Sequence, residues 1–176
     1  MWNRVADVEH VQAFAAEHGV SVYIEIDMPG HTSSIGESYP EYIACKELCA
    51  SPSPSATRFG ADSRVPAPWA TYANEPPAGQ LRLDDAKVLS FAKNLTGTIA
   101  KLTSSPYFST GGDEIVGIPL QNPVEGLLIR RIQNVACYAQ DPAMNASSVN
   151  LNDSISTFVE GLHATLDSLG KTPIVW

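Results

Sequence analysis

The sequence lacks long apolar runs and has few basic residues. No stretch of about 18 apolar residues occurs, so a membrane-spanning helix is excluded. Lysine and arginine number 11 against 19 aspartates and glutamates, and the net charge of −8 provides no basic face for a phosphate backbone. The sequence therefore predicts neither a membrane nor a nucleic acid as a partner.

The amino terminus also lacks the apolar segment of a signal peptide. Cysteine is scarce, and its three positions are Cys45, Cys49 and Cys137. An odd count allows one disulfide and one remaining thiol. The glycosylation pattern Asn-X-Ser/Thr occurs at Asn94, Asn145 and Asn152. The cysteines and the glycosylation patterns indicate the secretory route. Because no signal peptide is visible, we expect a fragment of a secreted protein.

An apolar fraction of 44% with 17% charged residues is typical of a globular domain, and 176 residues suffice for one domain or part of one. Helical periodicity predicts three helices, which begin at Asp7, at Asp84 and at Asn152 or Asp153 and end near Gly19, Leu102 and Gly170. Strand-forming residues occupy 20–26, 106–110 and 172–176. The proline-rich stretch 51–80 is predicted to be a long surface loop.

Strands that alternate with helices predict parallel pairing through right-handed crossovers, as in a doubly wound sheet or a (β/α)₈ barrel. In both folds, functional residues lie beyond the carboxyl ends of the strands. The residues that follow the predicted strands are therefore the first place to look for chemistry.

The first predicted strand ends in Asp27-Met28-Pro29-Gly30-His31. A turn of this kind can bring a carboxylate and an imidazole together, and the carboxylate then fixes the tautomer of the histidine. The alternative is a solvated aspartate beside a structural histidine, and the pentapeptide alone leaves both possibilities open.

The second predicted strand leads through Gly111 and Gly112 into the adjacent acids Asp113 and Glu114. Neighbouring carboxylates repel each other, so one can remain ionised while the other retains a proton to donate. A solvated turn is the alternative. The letters GGDEI also match a diguanylate cyclase signature, but that motif lies on an antiparallel hairpin, whereas here a helical stretch precedes the strand.

Four segments in this order resemble the catalytic barrel of glycoside hydrolase family 20, the β-N-acetylhexosaminidases, and the resemblance has a fungal character. They are IEIDMPGHTSSIGESYPEY, TYANEPPAGQL, YFSTGGDEI and KTPIVW. The resemblance covers nearly all of residues 1–176 and implies an α/β fold. We expect a fragment of a (β/α)₈ TIM barrel, about strands three to five with their connecting helices.

The resemblance implies retaining hydrolysis in which the substrate's own 2-acetamido group is the nucleophile. Asp113 would orient the acetamide, and Glu114 would be the general acid and base. Asp27 and His31 would form a supporting dyad, and Trp176 would be an aromatic wall of the sugar pocket. The substrates implied are oligosaccharides that contain N-acetylglucosamine or N-acetylgalactosamine, such as chitin oligomers or glycoconjugates, with no cofactor and no metal.

For the full-length parent, the family implies a secreted or vacuolar-lysosomal location and leaves a homodimer open. The expected fragment lacks the other barrel strands, so its own activity stays an open question. A disulfide from Cys137 to Cys45 or Cys49 is a further expectation. Two other functions are weighed: a sugar-binding relic without turnover, and a metal-dependent hydrolase. The second would use Asp27, His31, Asp113 and Glu114 as ligands, which is poor chelate geometry.

Residues 116–133, VGIPLQNPVEGLLIRRIQ, interrupt the family pattern directly behind the two acids. Without them the sequence reads GGDEI-NVACYAQD, which restores the pattern. The 18 residues correspond to 54 nucleotides in frame, and valine and glutamine codons permit the GT and AG boundaries of an intron. We predict an unspliced intron that has been translated; the alternative is a real insertion loop.

Overall fold

The computed structural model describes residues 4–44, 79–112, 137–138, 141, 144 and 151–175. The chain divides into two compact units, Met1–Asp27 with Ala86–Gly111 and Asn150–Trp176, and Met28–Asp85 with Gly112–Val149. In chain order, the described elements are α1 (Val5–Glu17), α2 (Ser33–Ser38), a 3-10 helix (Pro40–Tyr42), β1 (Ile43–Ala44), β2 (Gln80–Leu81), α3 (Ala86–Ala100), β3 (Tyr107–Ser109), α4 (Leu151–Ser168) and β4 (Thr172–Ile174).

In the first unit, α1 confirms the helix predicted near the amino terminus, but its cap was predicted wrongly. The N-cap is Arg4, and Asp7 lies in the first turn, where its carboxylate accepts a hydrogen bond of 2.7 Å from the Arg4 backbone N–H. An acid at this position satisfies a donor that the helix leaves unpaired. Gly19, with φ of 70°, follows the end of the helix as predicted.

Helices α3 and α4 confirm the two longer predicted helices, and they pack against each other. Two glycines allow the close approach: a Cβ on Gly97 would lie 3.2 Å from Thr165 Cγ2, and a Cβ on Gly161 would lie 3.0 Å from Leu89 Cδ1. Helix α4 begins at Leu151, so its predicted cap was wrong. Asp153 instead lies in its first turn, where a negative charge complements the helix dipole.

Parallel pairing is confirmed in this unit. β3 pairs with β4 in parallel, with Phe108 opposite Pro173. The predicted strand 20–26 forms only one parallel bridge, between Glu25 and Ser109, with backbone hydrogen bonds of 3.0 Å and 3.1 Å on either side. Because β3 is three residues long, it offers partners only to the carboxyl-terminal part of that stretch.

The core of the first unit lies between this sheet and the helices. One cluster of this core has Ala100, Phe108 and Leu166 as its buried members, and Ile24, Ile26, Ile99 and Leu169 pack around them. Since side chains alternate along a strand, Glu25 and Ser109 lie on the opposite face of the sheet. The face that carries polar groups is therefore the one turned away from the helices.

In the second unit, β1 and β2 form an antiparallel pair, with Ile43 opposite Leu81 and Ala44 opposite Gln80. The prediction of a surface loop over 51–80 was wrong at its end, because Gly79 and Gln80 are buried. Residues 51–78 lie outside the described residues. Two-residue strands are too short for an alternating pattern, so nothing in the sequence indicated this pair.

The side chains of Arg82, Tyr138 and Asp141 link separate segments of the second unit. Tyr138 donates a hydrogen bond of 3.0 Å to the Leu81 carbonyl. Arg82 forms an ion pair of 3.0 Å with Asp141, whose side chain is only 2% exposed, and also donates to the Glu41 carbonyl. Burial, with the charge of Asp84 as the second cause, raises the pKa of Tyr138 far above its ordinary value, so its hydroxyl stays protonated and can donate.

Candidate active site at the strand ends

The carboxyl ends of the parallel segments bring Asp27 and Gly111 to one edge of the first unit. Asp27 follows the segment that bridges to β3, and Thr110 and Gly111 follow β3 itself. The Thr110 N–H donates to the Ile174 carbonyl at 3.0 Å, which extends the pairing with β4 by one residue. This edge is where an α/β fold places functional groups.

Gly111 and Asp27 are in direct contact. A Cβ on Gly111 would lie 2.1 Å from Asp27 Oδ1 and 2.8 Å from Asp27 Cα, so no larger residue fits. Gly111 also has φ of 65°, and Gly112 follows with φ of 114°, both in the region that favours glycine. Asp27 therefore lies against a glycine that precedes Asp113 by two positions in the sequence.

A hydrogen-bonded network links Gly111 to the strand residues that precede this contact. The Ser109 hydroxyl donates to Glu25 Oε2 at 2.5 Å, and the Gly111 N–H donates to Ser109 Oγ at 3.3 Å. The sequence patterns did not single out Glu25 and Ser109. The available signal was the period of two along each strand, which puts Glu25 on the face of Asp27 and Ser109 on the face of Gly111.

His31 belongs to the second unit, where it follows a buried turn. Met28, Pro29 and Gly30 are buried, the Met28-Pro29 peptide is cis, and His31 has φ of 54°. The Pro29 carbonyl accepts hydrogen bonds from the Leu81 N–H at 3.0 Å and from the Thr32 hydroxyl at 3.2 Å. Within its own unit, the turn that leads to His31 is thus anchored to β2.

Most of the remaining predicted residues are not among those that the structure describes. Asp113, Glu114, Trp176, Cys45, Cys49 and Asn145 lie outside the described residues, as does the segment 116–133. Cys137 is fully buried and disulfide-bonded. Asn94, on α3, and Asn152, on α4, are exposed.

Within 4–44, 79–112, 151–175 and the few described positions between them, no three His, Cys, Asp or Glu side chains are grouped so as to hold a metal ion. None of the described helices is long and apolar enough to cross a membrane.

A parallel sheet with helical crossovers defines an α/β fold, and a carboxylate lies against glycine at its strand ends. Comparison with known proteins gives the family. Residues 4–176 match the model of glycosyl hydrolase family 20, catalytic domain. The chain belongs to this family, whose catalytic domain is a fold of the TIM-barrel type.

Two relatives illustrate the similarity in sequence. The chain is 29% identical to a beta-hexosaminidase of Arthroderma benhamiae, over 97% of this chain and 23% of the relative. It is 27% identical to beta-hexosaminidase subunit A1 of Dictyostelium discoideum, over 97% of this chain and 25% of the relative. The chain therefore spans about a quarter of the length of these relatives.

Solved structures agree on the fold. A glycoside hydrolase family 20 beta-N-acetylglucosaminidase is similar with a TM-score of 0.57 and 24% identity, over 98% of this chain and 28% of that one. A chitobiase of Flavobacterium johnsoniae is similar with a TM-score of 0.62 and 19% identity, over 99% of this chain and 22% of that one. At these identities the likeness concerns the fold.

Proposed function

We propose that this chain carries the catalytic residues of a β-N-acetylhexosaminidase that removes terminal non-reducing N-acetylhexosamine from chitin oligomers or glycoconjugates. Family membership over residues 4–176 supports the reaction class. The contact between Asp27 and Gly111 carries the assignment of the site, because it sets one predicted carboxylate beside the turn that leads to the other two.

The proposed reaction uses the substrate as its own nucleophile. The acetamide oxygen of the sugar attacks the anomeric carbon while Glu114 gives a proton to the departing glycosidic oxygen, and an oxazolinium intermediate forms. Asp113 orients the acetamide and stabilises the positive charge on its nitrogen. Glu114 then takes a proton from water, which attacks the anomeric carbon and restores the acetamide, so configuration is retained.

The other predicted residues support these two acids. Asp27 and His31 are proposed to form a dyad that tunes the proton of Glu114. Trp176 is proposed to supply a flat apolar wall to the pyranose ring or to the acetamide methyl group. No step needs a metal or a cofactor.

We further propose that the segment 20–26, β3 and β4 are the third, fourth and fifth strands of the barrel. Their order across the sheet equals their order along the chain, as in a (β/α)₈ barrel. An experimental structure in which β3 lies between any other two segments would contradict this assignment.

Hydrolysis of a chromogenic N-acetylglucosaminide tests the function, in this chain and in the chain grafted in place of the matching quarter of the Arthroderma benhamiae relative. We expect Glu114→Gln to lower kcat by ~10²–10⁴-fold, the usual contribution of general acid-base catalysis. Glu160→Gln makes the same chemical change at an exposed position of α4 and is the matched control.

Three outcomes of that assay would count against the proposal. Near-normal kcat in Glu114→Gln would remove the acid/base assignment. Turnover that a chelator abolishes would favour a metal-dependent hydrolase. Binding of N-acetylglucosamine without turnover in either form of the protein would favour a sugar-binding relic.

We also propose that the protein follows the secretory route. The exposed asparagines Asn94 and Asn152 and the disulfide at Cys137 support it. Peptide mapping of the protein secreted by a fungal host should find glycans at these asparagines and a bridge from Cys137 to Cys45 or Cys49. Unmodified asparagines together with three free thiols would refute the proposal.

A further inference from the structure

We propose that Glu25 and Ser109 are positioning residues that hold the Gly111 peptide, and through it the start of the turn that leads to Asp113 and Glu114. The relevance of this turn for catalysis rests on the proposed function. The hold on Gly111 itself rests on contacts among described residues.

Ser109 links the strand bridge to the turn. Its side chain is buried, at 1% exposure, and its hydroxyl has one proton, which it gives to Glu25 Oε2. The oxygen is then free to accept the Gly111 N–H, at 3.3 Å. A carboxylate acceptor polarises the hydroxyl, which makes its oxygen a better acceptor for the next donor in the chain.

Glycine permits the conformation at Gly111 but does not select it. Glycine has more conformational freedom than any other residue, so a fixed turn needs contacts that choose one state. Two successive backbone donors are fixed here: the Thr110 N–H by the Ile174 carbonyl at 3.0 Å, and the Gly111 N–H by Ser109. The first contact comes from β4, and the second depends on Ser109 and its partner Glu25.

The exposure of Glu25 separates positioning from general stabilisation. Glu25 is exposed, and exposed polar contacts contribute little to global stability. Glu25→Ala is therefore expected to change the local opening of the Gly111 amide while the thermal midpoint of unfolding stays nearly constant. A purely structural contact would change the midpoint instead.

The test is deuterium exchange of the Gly111 amide, measured by NMR in the full chain and in Ser109→Ala, Glu25→Ala and the double variant. We expect Ser109→Ala to speed this exchange by about tenfold, the upper range for one net hydrogen bond. The double variant is expected to exchange no faster than Ser109→Ala, because both side chains act through one path. Glu25→Gln, which retains an acceptor oxygen, is expected to restore part of the protection.

Tyr107→Phe is the matched control, since it removes a hydroxyl from the same face of β3 two residues before Ser109. Unchanged exchange at Gly111 in Ser109→Ala would overturn the proposal, as would additive effects of the two alanine changes. The kinetic arm uses the chromogenic N-acetylglucosaminide. We expect kcat to fall by up to ~10²-fold in Ser109→Ala, with KM nearly unchanged, because small displacements of catalytic groups have effects of this size.

The two arms separate failure of this proposal from failure of the proposed function. If the chain does not turn over the glycoside but Gly111 exchange responds as expected, the hold on Gly111 stands and the hydrolase proposal loses support. If the chain turns over the glycoside and kcat is the same in Ser109→Ala, Glu25 and Ser109 are not positioning residues for catalysis.

Discussion

At the scale of single residues, Gly111 carries two constraints that can be measured separately. Its φ of 65° favours glycine, and a Cβ would also meet the Asp27 carboxylate at 2.1 Å. Gly170 has nearly the same φ, 70°, but no atom lies within 4 Å of its hypothetical Cβ. The two glycines therefore form a matched pair.

We expect Gly170→Ala to lower the free energy of unfolding by ~1–2 kcal/mol, the penalty for a left-handed residue. Gly111→Ala adds a steric clash with Asp27, so its loss is expected to be larger by at least ~1 kcal/mol. Urea unfolding of both variants measures the difference. Equal losses would mean that Asp27 does not contact Gly111.

Asp27 and Gly111 could be predicted from the sequence, whereas the pairing of Glu25 with Ser109 could not. A carboxylate after a strand and a glycine pair before two acids are local patterns. The hydrogen bond from Ser109 to Glu25 depends on which residues of two distant segments lie side by side, and this register is not encoded in either segment alone.

At the scale of elements, the second unit depends on the ion pair between Arg82 and Asp141. The Arg82 side chain is 26% exposed and that of Asp141 is 2% exposed. Arg4 and Asp7 form a contrasting pair at 3.8 Å, with side chains 81% and 47% exposed. Because the first pair is more buried, loss of its arginine should lower the stability of the protein far more than loss of Arg4.

We expect Arg82→Ala to destabilise the protein by ~3 kcal/mol or more, because it leaves a buried carboxylate without its cation. Arg4→Ala should change stability by less than ~1 kcal/mol. Chemical denaturation followed by circular dichroism measures both. Similar small effects would show that Asp141 reaches water or another partner when Arg82 is absent.

The three longer helices could be predicted from periodicity, because their apolar residues recur at helical spacing over 13 to 18 residues. The length of strand 20–26 was overestimated, because its β-branched composition says nothing about the length of the strand with which it pairs. The pair of β1 with β2 was missed because tertiary contacts, such as that from Tyr138 to Leu81, select such short strands.

At the scale of the whole molecule, the segment 116–133 decides whether the chain matches its family without interruption. It follows the two acids and precedes the buried, disulfide-bonded Cys137. We propose that it is a retained intron. Sequencing of the spliced transcript should find the 54 nucleotides for its 18 residues absent.

Deletion of the segment gives a second measure of the same proposal. We expect the protein without residues 116–133 to hydrolyse the chromogenic glycoside faster, by up to ~10²-fold, because the family pattern behind Glu114 is then uninterrupted and small shifts of a catalytic group have effects of this size. A mature message that keeps the segment, together with lower activity after its deletion, would establish it as a genuine loop.

We propose that Asp113 serves a reaction in which the acetamide of the sugar is the nucleophile. Calorimetry with a thiazoline mimic of the oxazolinium intermediate tests it most directly, because mimics of high-energy states bind at least ~10²-fold more tightly than ground-state ligands. The mimic should exceed N-acetylglucosamine in affinity by that margin. Asp113→Asn should remove most of this preference, whereas Asp153→Asn, at an exposed position of α4, should retain it. Equal affinity of the chain for the mimic and for N-acetylglucosamine would contradict the claim.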